Sequence, residues 1–176
     1  MTAPDLYWIP GPWRGRLAIS SRPRGGDWLE DEVLGWRRAG VNVVISLLEH
    51  AENAQLDLNN ESLLAESAGL QFISFPIPDR GVPASSNAAL AMLRNLAQVL
   101  EEGKRVAVHC RQGIGRSGLI AAGALVAAGS SPEEALRVVS LARGLTIPET
   151  PEQRRWVEQL PVGQLALART NLLQAP

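Results

Sequence analysis

The chain has 176 residues, 45% of them apolar and 20% charged, which is the composition of one globular domain and not of a disordered segment. Its 17 basic residues are balanced by 18 acidic ones, so no excess of positive charge is available to hold nucleic acid or an anionic membrane, and neither partner is expected. The single cysteine, Cys110, excludes an intrachain disulfide framework and suits a reducing compartment. The first fifteen residues have neither a basic start nor an apolar run, and the longest apolar stretch, around Leu119 to Ala128, is about half a membrane span. A cytoplasmic monomer is the expectation.

Short β-rich runs alternate with longer helical ones, which predicts one α/β domain over residues 1–176. Its centre is expected to be a mostly parallel, twisted sheet of four or five strands flanked by helices. Residues 1–15 read as an N-terminal extension and 161–176 as a tail, with a weak helical spacing in Leu165, Ala168 and Leu172. Arg16 to Ser20 reads as an edge strand. Asp27 with Glu30 forms a capping-box pattern for a helix through Arg38, closed by Gly40. Val41 to Leu48 is continuous and rich in β-branched residues, as in a strand covered on both faces. Gln71 to Pro76 is a shorter strand. Ser85 or Ser86 caps a helix with Leu90, Leu93, Ala97 and Leu100 on one face, ended by Gly103. Arg105 to His109 is a third buried-type strand. Ser131-Pro132-Glu133-Glu134 and Thr150-Pro151-Glu152-Gln153 are capping boxes with proline at the first helical position.

The chemistry concentrates in residues 105–125, RVAVHCRQGIGRSGLIAAGAL. A strand ends at His109. The chain then passes through Cys110, Arg111, Gln112, Gly113, Ile114, Gly115 and Arg116 into an apolar helix near Ser117. A glycine-bearing turn from strand to helix can point successive backbone N–H groups inward as an anion nest, with the helix N-terminus behind them. A cysteine at the first position of that nest sits in a positive field that favours its thiolate. An arginine six residues on can fork two N–H groups onto phosphate oxygens. Nucleophile, cradle and clamp therefore fall within seven residues.

His109-Cys110, five residues, then Arg116-Ser117 resembles the signature of the cysteine-dependent protein tyrosine and dual-specificity phosphatases. Phe75-Pro76-Ile77-Pro78-Asp79-Arg80-Gly81, upstream, resembles the acid-bearing loop of the small dual-specificity branch. The resemblance implies Cys110 as nucleophile, Asp79 as general acid, and Arg111 through Arg116 as the phosphate cradle. It also implies that Ser117 hydrogen-bonds the sulfur, with His109 and Gln153 in supporting places. Gln153 is equally explained by its capping box with Thr150. Arg22-Pro23 and the acidic stretch 49–52 lie where relatives carry an Arg-Pro and an arginine-supporting acid; surface or turn roles are expected for both here. No metal and no other cofactor is implied.

The implied reaction is phosphomonoester hydrolysis through a phosphocysteine. The chain's one tyrosine, Tyr7, lies far from any pocket-deepening loop, so a shallow pocket is expected. The chain's single lysine, Lys104, lies outside the cradle, which disfavours a polyphosphorylated lipid. A phosphotyrosine-bearing protein ranks first as substrate, phosphoserine or phosphothreonine on proteins beside it, and inositol phosphates or phosphoinositides second. An inactive phosphate-binding module would be expected to have lost Cys110, Arg116 or Asp79, and all three are present. A rhodanese-type sulfurtransferase would not need the Asp79 loop.

Overall fold

A computed structural model describes residues 4–163. Five strands form one sheet in the order β1-β2-β5-β3-β4. Strand β1 (Leu6–Ile9) and strand β2 (Arg16–Ser20) are an antiparallel hairpin, whereas β2, β3 (Val43–Ser46), β4 (Gln71–Ser74) and β5 (Arg105–His109) run parallel. Parallel strands need crossovers, and the crossovers supply helices on both faces.

One face carries α4 (Ser86–Glu101), α5 (Gly115–Ala127), α6 (Pro132–Arg143) and α7 (Pro151–Glu158), packed on Leu17, Ile19, Val43, Ile45, Val106 and Val108. The other carries α1 (Leu29–Arg38) and α3 (Glu61–Ser67), packed on Val44 and Ala107, with the short α2 (His50–Gln55) following β3. Successive residues of β3 and β5 thus feed two different cores, the physical reason those strands read as unbroken apolar runs. Helix α5 is buried along its whole length between the sheet and its neighbouring helices.

Several expectations shift. Arg16–Ser20 is a strand but not an edge, because β1, inside the stretch read as an extension, pairs along its outer side. The Asp27–Glu30 box does not form. A 3₁₀ turn over Gly26–Trp28 runs straight into α1, so no extended residue stands at the N-cap for a side chain to work from. Ser85 caps α4 as expected, but its buried stripe is Ala89, Met92, Leu93, Leu96, Val99 and Leu100, while Leu90 and Ala97 are half-buried. Leu90 and Ala97 lie at the margin of the buried face, so a stripe drawn through them is rotated away from its centre, while Asn87, Arg94, Asn95 and Gln98 form the exposed side. Ser131 accepts from the Glu134 amide, but the Glu134 carboxylate turns to Arg137 instead of closing the box. The spacing of Leu165, Ala168 and Leu172 lies outside the described residues.

Candidate active site

Strand β5 occupies the middle of the sheet, so the loop leaving its C-terminal end opens where the parallel strands converge. This is the place where open α/β sheets form crevices. Residues 110–114 make the loop and α5 begins at Gly115. Gly113 has φ +65°, and a Cβ there would stand 2.7 Å from the Ser20 carbonyl oxygen, so both conformation and space require glycine. The outer side of the loop is held by its carbonyls. Arg143 donates to Gly113 O at 2.7 Å and to Gln112 O at 3.2 Å, and Ser21 donates to Gln112 O at 3.3 Å. The Arg143 guanidinium lies 4.0 Å from the centre of the Tyr7 ring, which ties strand β1 to the loop. With the carbonyls engaged outward, the amide side of the loop is left for an anion.

The loop floors a cavity of about 170 Å³ lined by Asp79, Arg80, Cys110, Arg111, Gln112, Ile114, Gly115, Arg116 and Glu149. Cys110 is almost fully buried at its base, and its Sγ lies 3.3 Å from Ser117 Oγ. Arg116 is 2% exposed. It donates to both carboxylate oxygens of Glu52, at 2.6 and 2.9 Å, and to the Ile77 carbonyl at 3.1 Å. Its Nη2 is also 3.1 Å from Asp79 Oδ1. Burial by itself would lower the guanidinium's pKa, but the Glu52 hydrogen bonds and the charges of Cys110, Glu52 and Asp79 outweigh it and raise the value. Burial would likewise raise the Glu52 carboxyl. The Arg116 hydrogen bonds, the Glu49 amide and the charges of Arg116 and Arg111 instead hold it below the usual carboxylate range.

Asp79 comes from a tight turn in which the Gly81 amide donates to Pro78 O at 2.8 Å and Arg80 takes φ +59°. The pattern is that of a turn that favours glycine or asparagine at its third position. An arginine kept there carries strain on the order of 1 kcal/mol or more, of the kind that gathers at functional sites. Gln153 is fully buried. Its amide does not complete the box with the helix N-cap; Oε1 accepts from Glu149 N at 3.1 Å and Nε2 donates to Gly81 O at 3.0 Å.

His109 faces away from the cavity, into the α1–α3 layer. Its ring is fully buried, 5.6 Å from the Trp36 ring, with Nε2 2.8 Å from Glu61 Oε1. That approach lacks hydrogen-bond alignment, so both ring nitrogens and both Glu61 oxygens are without a hydrogen-bond partner. Among the described residues no group of three or more His, Cys, Asp or Glu is placed to hold a metal ion, and no helix is long and apolar enough to cross a membrane.

The structure therefore gathers Cys110, the 111–116 loop, Ser117 and Asp79 around one cavity, sets Gln153 behind the Asp79 turn, and puts His109 on the opposite face of the strand. Sequence reasoning missed three residues. Glu52, expected as a surface or turn residue, is the buried partner of Arg116; the physical reason is that it faces inward from α2 while capping that helix at Glu49. Glu61 had no sequence signal beyond its place on an amphipathic helix, and Arg143 stood only as the start of the 143–148 stretch that, with Gln153, resembles the late segment of these phosphatases, with no role assigned to it. Arg22 touches the loop through its backbone, its amide donating to Arg111 O at 3.5 Å, while its side chain turns to Pro23 O.

Residues 20–130, well over half of the chain, match the family described as "Polymorphic toxin system, DSP-PTPase phosphatase". The chain belongs to this DSP-PTPase family. Its fold is shared with solved phosphatases. "Crystal structure of Tk-PTP in the active form" is 31% identical and superposes with a TM-score of 0.75, covering 90% of this chain and 97% of that one. Kinase associated phosphatase with its catalytic cysteine replaced by serine superposes at 0.83 with 20% identity, covering 89% and 93%. Among curated relatives, 197R of Invertebrate iridescent virus 6, whose name provisionally calls it a tyrosine phosphatase, is 27% identical over 161 residues. Those residues are 88% of this chain and 56% of that one. The Mus musculus protein tyrosine phosphatase domain-containing protein 1 is 40% identical over 95 residues, 49% of this chain and 12% of that protein. The DSP-PTPase chain thus spans about half of the viral relative and a small part of the mouse one.

Proposed function

We propose that this DSP-PTPase chain hydrolyses phosphomonoesters through a phosphocysteine intermediate, with phosphotyrosine on proteins as the preferred substrate and phosphoserine or phosphothreonine accepted beside it. The observation that carries the reading is one cavity floored by Cys110, with Arg116 and Asp79 over it 3.1 Å apart. The Cys110 thiolate attacks phosphorus in line. The loop amides and Arg116 hold the three remaining oxygens and match the charge that builds in the transition state. Glu52 takes one edge of the guanidinium and so aims the other at the cavity. The phosphorus–oxygen bond breaks with its electron pair going to the leaving oxygen, which takes the proton of Asp79. Water then attacks the phosphocysteine with Asp79 as base, and Ser117 hydrogen-bonds the departing sulfur. His109 supports the loop only through the backbone of β5, since its ring points the other way. No step calls on a metal or cofactor. We place the reaction in the cytoplasm, on the single unpaired thiol.

The test is steady-state phosphate release from a phosphotyrosine peptide and a matched phosphoserine peptide by the native protein and by Cys110→Ser. Release by the native protein alone supports the mechanism, and the ratio between peptides sets the specificity. A folded, reduced native protein that releases phosphate from neither peptide, yet does so from inositol phosphates, would move the substrate to the second class.

A further inference from the structure

The Asp79 turn is pinned at both ends, and the pin on its far side is a residue with no part in holding phosphate. On the near side Ile77 is fully buried, its amide donating to Leu47 O at 3.1 Å and its carbonyl accepting from Arg116. On the far side the two carbonyls that follow Asp79 are both met by the first turn of α7. Gln153 Nε2 donates to Gly81 O at 3.0 Å, and Thr150 Oγ1 donates to Arg80 O at 3.4 Å. Gln153 is itself fixed. Its amide N–H donates to Thr150 Oγ1 at 3.2 Å, its Oε1 accepts from Glu149 N, and its side chain is fully buried. A Cβ on Gly115 would approach Gln153 Nε2 to 3.2 Å, so the bare backbone of Gly115 is part of the seat. A fully buried amide with both ends satisfied across two loops is costly to disturb, because each lost bond strands a buried group.

We infer that Gln153 is the positioning residue for the general acid: it fixes the backbone of the 78–81 turn, and through it the distance from the Asp79 carboxyl to the leaving oxygen. This rests on the reading of Asp79 as acid. The helix-capping role of Thr150 and Gln153 and the acid-holding role are then one device, in which the cap aims the amide at the turn.

The step it serves is proton delivery to the leaving oxygen as the phosphorus–oxygen bond breaks, so its effect grows with the basicity of the leaving group. The experiment compares phenyl phosphate, a poor leaving group, with p-nitrophenyl phosphate, an activated one, for native protein, Asp79→Asn, Gln153→Leu, Gln153→Glu and Gln153→Leu in the Asp79→Asn background. Gln153→Glu keeps the size and the acceptor for Glu149 N and replaces the donor to Gly81 O by a carboxylate oxygen facing that carbonyl, so it breaks the same contact without an apolar replacement and covers the case in which the leucine variant does not fold. The expected result is a fall in kcat of about 10-fold or more on phenyl phosphate and about 3-fold or less on p-nitrophenyl phosphate, with iodoacetate alkylation of Cys110 unaltered. In the Asp79→Asn background the leucine substitution should add about 2-fold or less. Equal losses on both substrates, or full additivity with Asp79→Asn, would overturn the inference in favour of a purely structural glutamine. Absence of turnover by the native protein would instead sink the phosphatase reading. Native and Asp79→Asn behaving as expected beside unaffected Gln153 variants would remove this inference alone.

Discussion

Arg116 is held by a carboxylate 64 residues away in sequence, and that distance is why Glu52 was not legible while Cys110, Arg116 and Ser117 were. The proposed nucleophile, cradle and clamp follow one another along seven residues, so their spacing is local information; the choice among Glu49, Glu52 and their neighbours depends on which side of α2 meets the sheet. Replacing Glu52 by alanine should cost about 3–5 kcal/mol, since it leaves a buried guanidinium without its main partner. Glu52→Gln, which keeps the shape, should lower kcat/KM by about 10-fold or more while largely preserving the fold, as read by urea unfolding and peptide turnover. The pH dependence follows from the same pair. The folded-state pKa of Glu52 lies below its unfolded value of 4.5, so its contribution is fully present above that value and is lost as pH falls through the lower folded value. Urea midpoints between neutral pH and pH 3 should therefore fall more steeply for the native protein than for Glu52→Gln. Parallel curves would show that Glu52 is not a source of the acid sensitivity.

At the level of elements, α5 shows what burial on all sides demands. Two of its three glycines, Gly118 and Gly123, look alike in sequence and differ in surroundings. A Cβ on Gly118 would stand 2.5 Å from Cγ2 of the buried Ile147, whereas one on Gly123 would meet the movable ends of Leu93 at 3.2 and 3.3 Å. Gly118→Ala should destabilise by about 1–3 kcal/mol through overpacking. Gly123→Ala should be close to neutral, the tight contact offset by a helix-propensity gain of up to about 1 kcal/mol. Thermal or urea unfolding of the two variants checks the contrast, and equal effects would refute it. Strand β5, helix α5 and the caps at Ser85, Ser131 and Thr150 were readable because each is set by adjacent residues. The rotation of α4 was not, because Leu90 and Ala97 sit at the margin of its apolar face, opposite a side made of the exposed Asn87, Arg94, Asn95 and Gln98, and a stripe read through them is turned away from the true centre.

The molecule as a whole uses its sheet to bring the far ends of the chain to the same loop. The hairpin strand β1 looked like flanking sequence because four residues with two aromatics, LYWI, carry little strand signal on their own; its role depends on pairing with β2 and on α6 reaching over it. Through Tyr7 and Arg143 that strand braces the carbonyls of Gln112 and Gly113. Tyr7→Leu keeps an apolar side chain and removes the ring face, so it should cost about 1 kcal/mol and lower kcat/KM by about 2- to 5-fold. Peptide kinetics beside urea unfolding measure both effects, and an unchanged rate with reduced stability would confine Tyr7 to the fold.

The 3.1 Å contact between Arg116 Nη2 and Asp79 Oδ1 sets an order of events. A phosphate dianion that docks on the guanidinium competes with the carboxylate for the same N–H group. Displaced, Asp79 takes up a proton from the water its half-exposed side chain meets and then needs only to rotate about its own side-chain bonds, since its turn is anchored on both sides. In the proposed reaction the acid is thereby idle until cargo arrives and is released by that arrival, so that a single arginine would act as both the clamp and the clock.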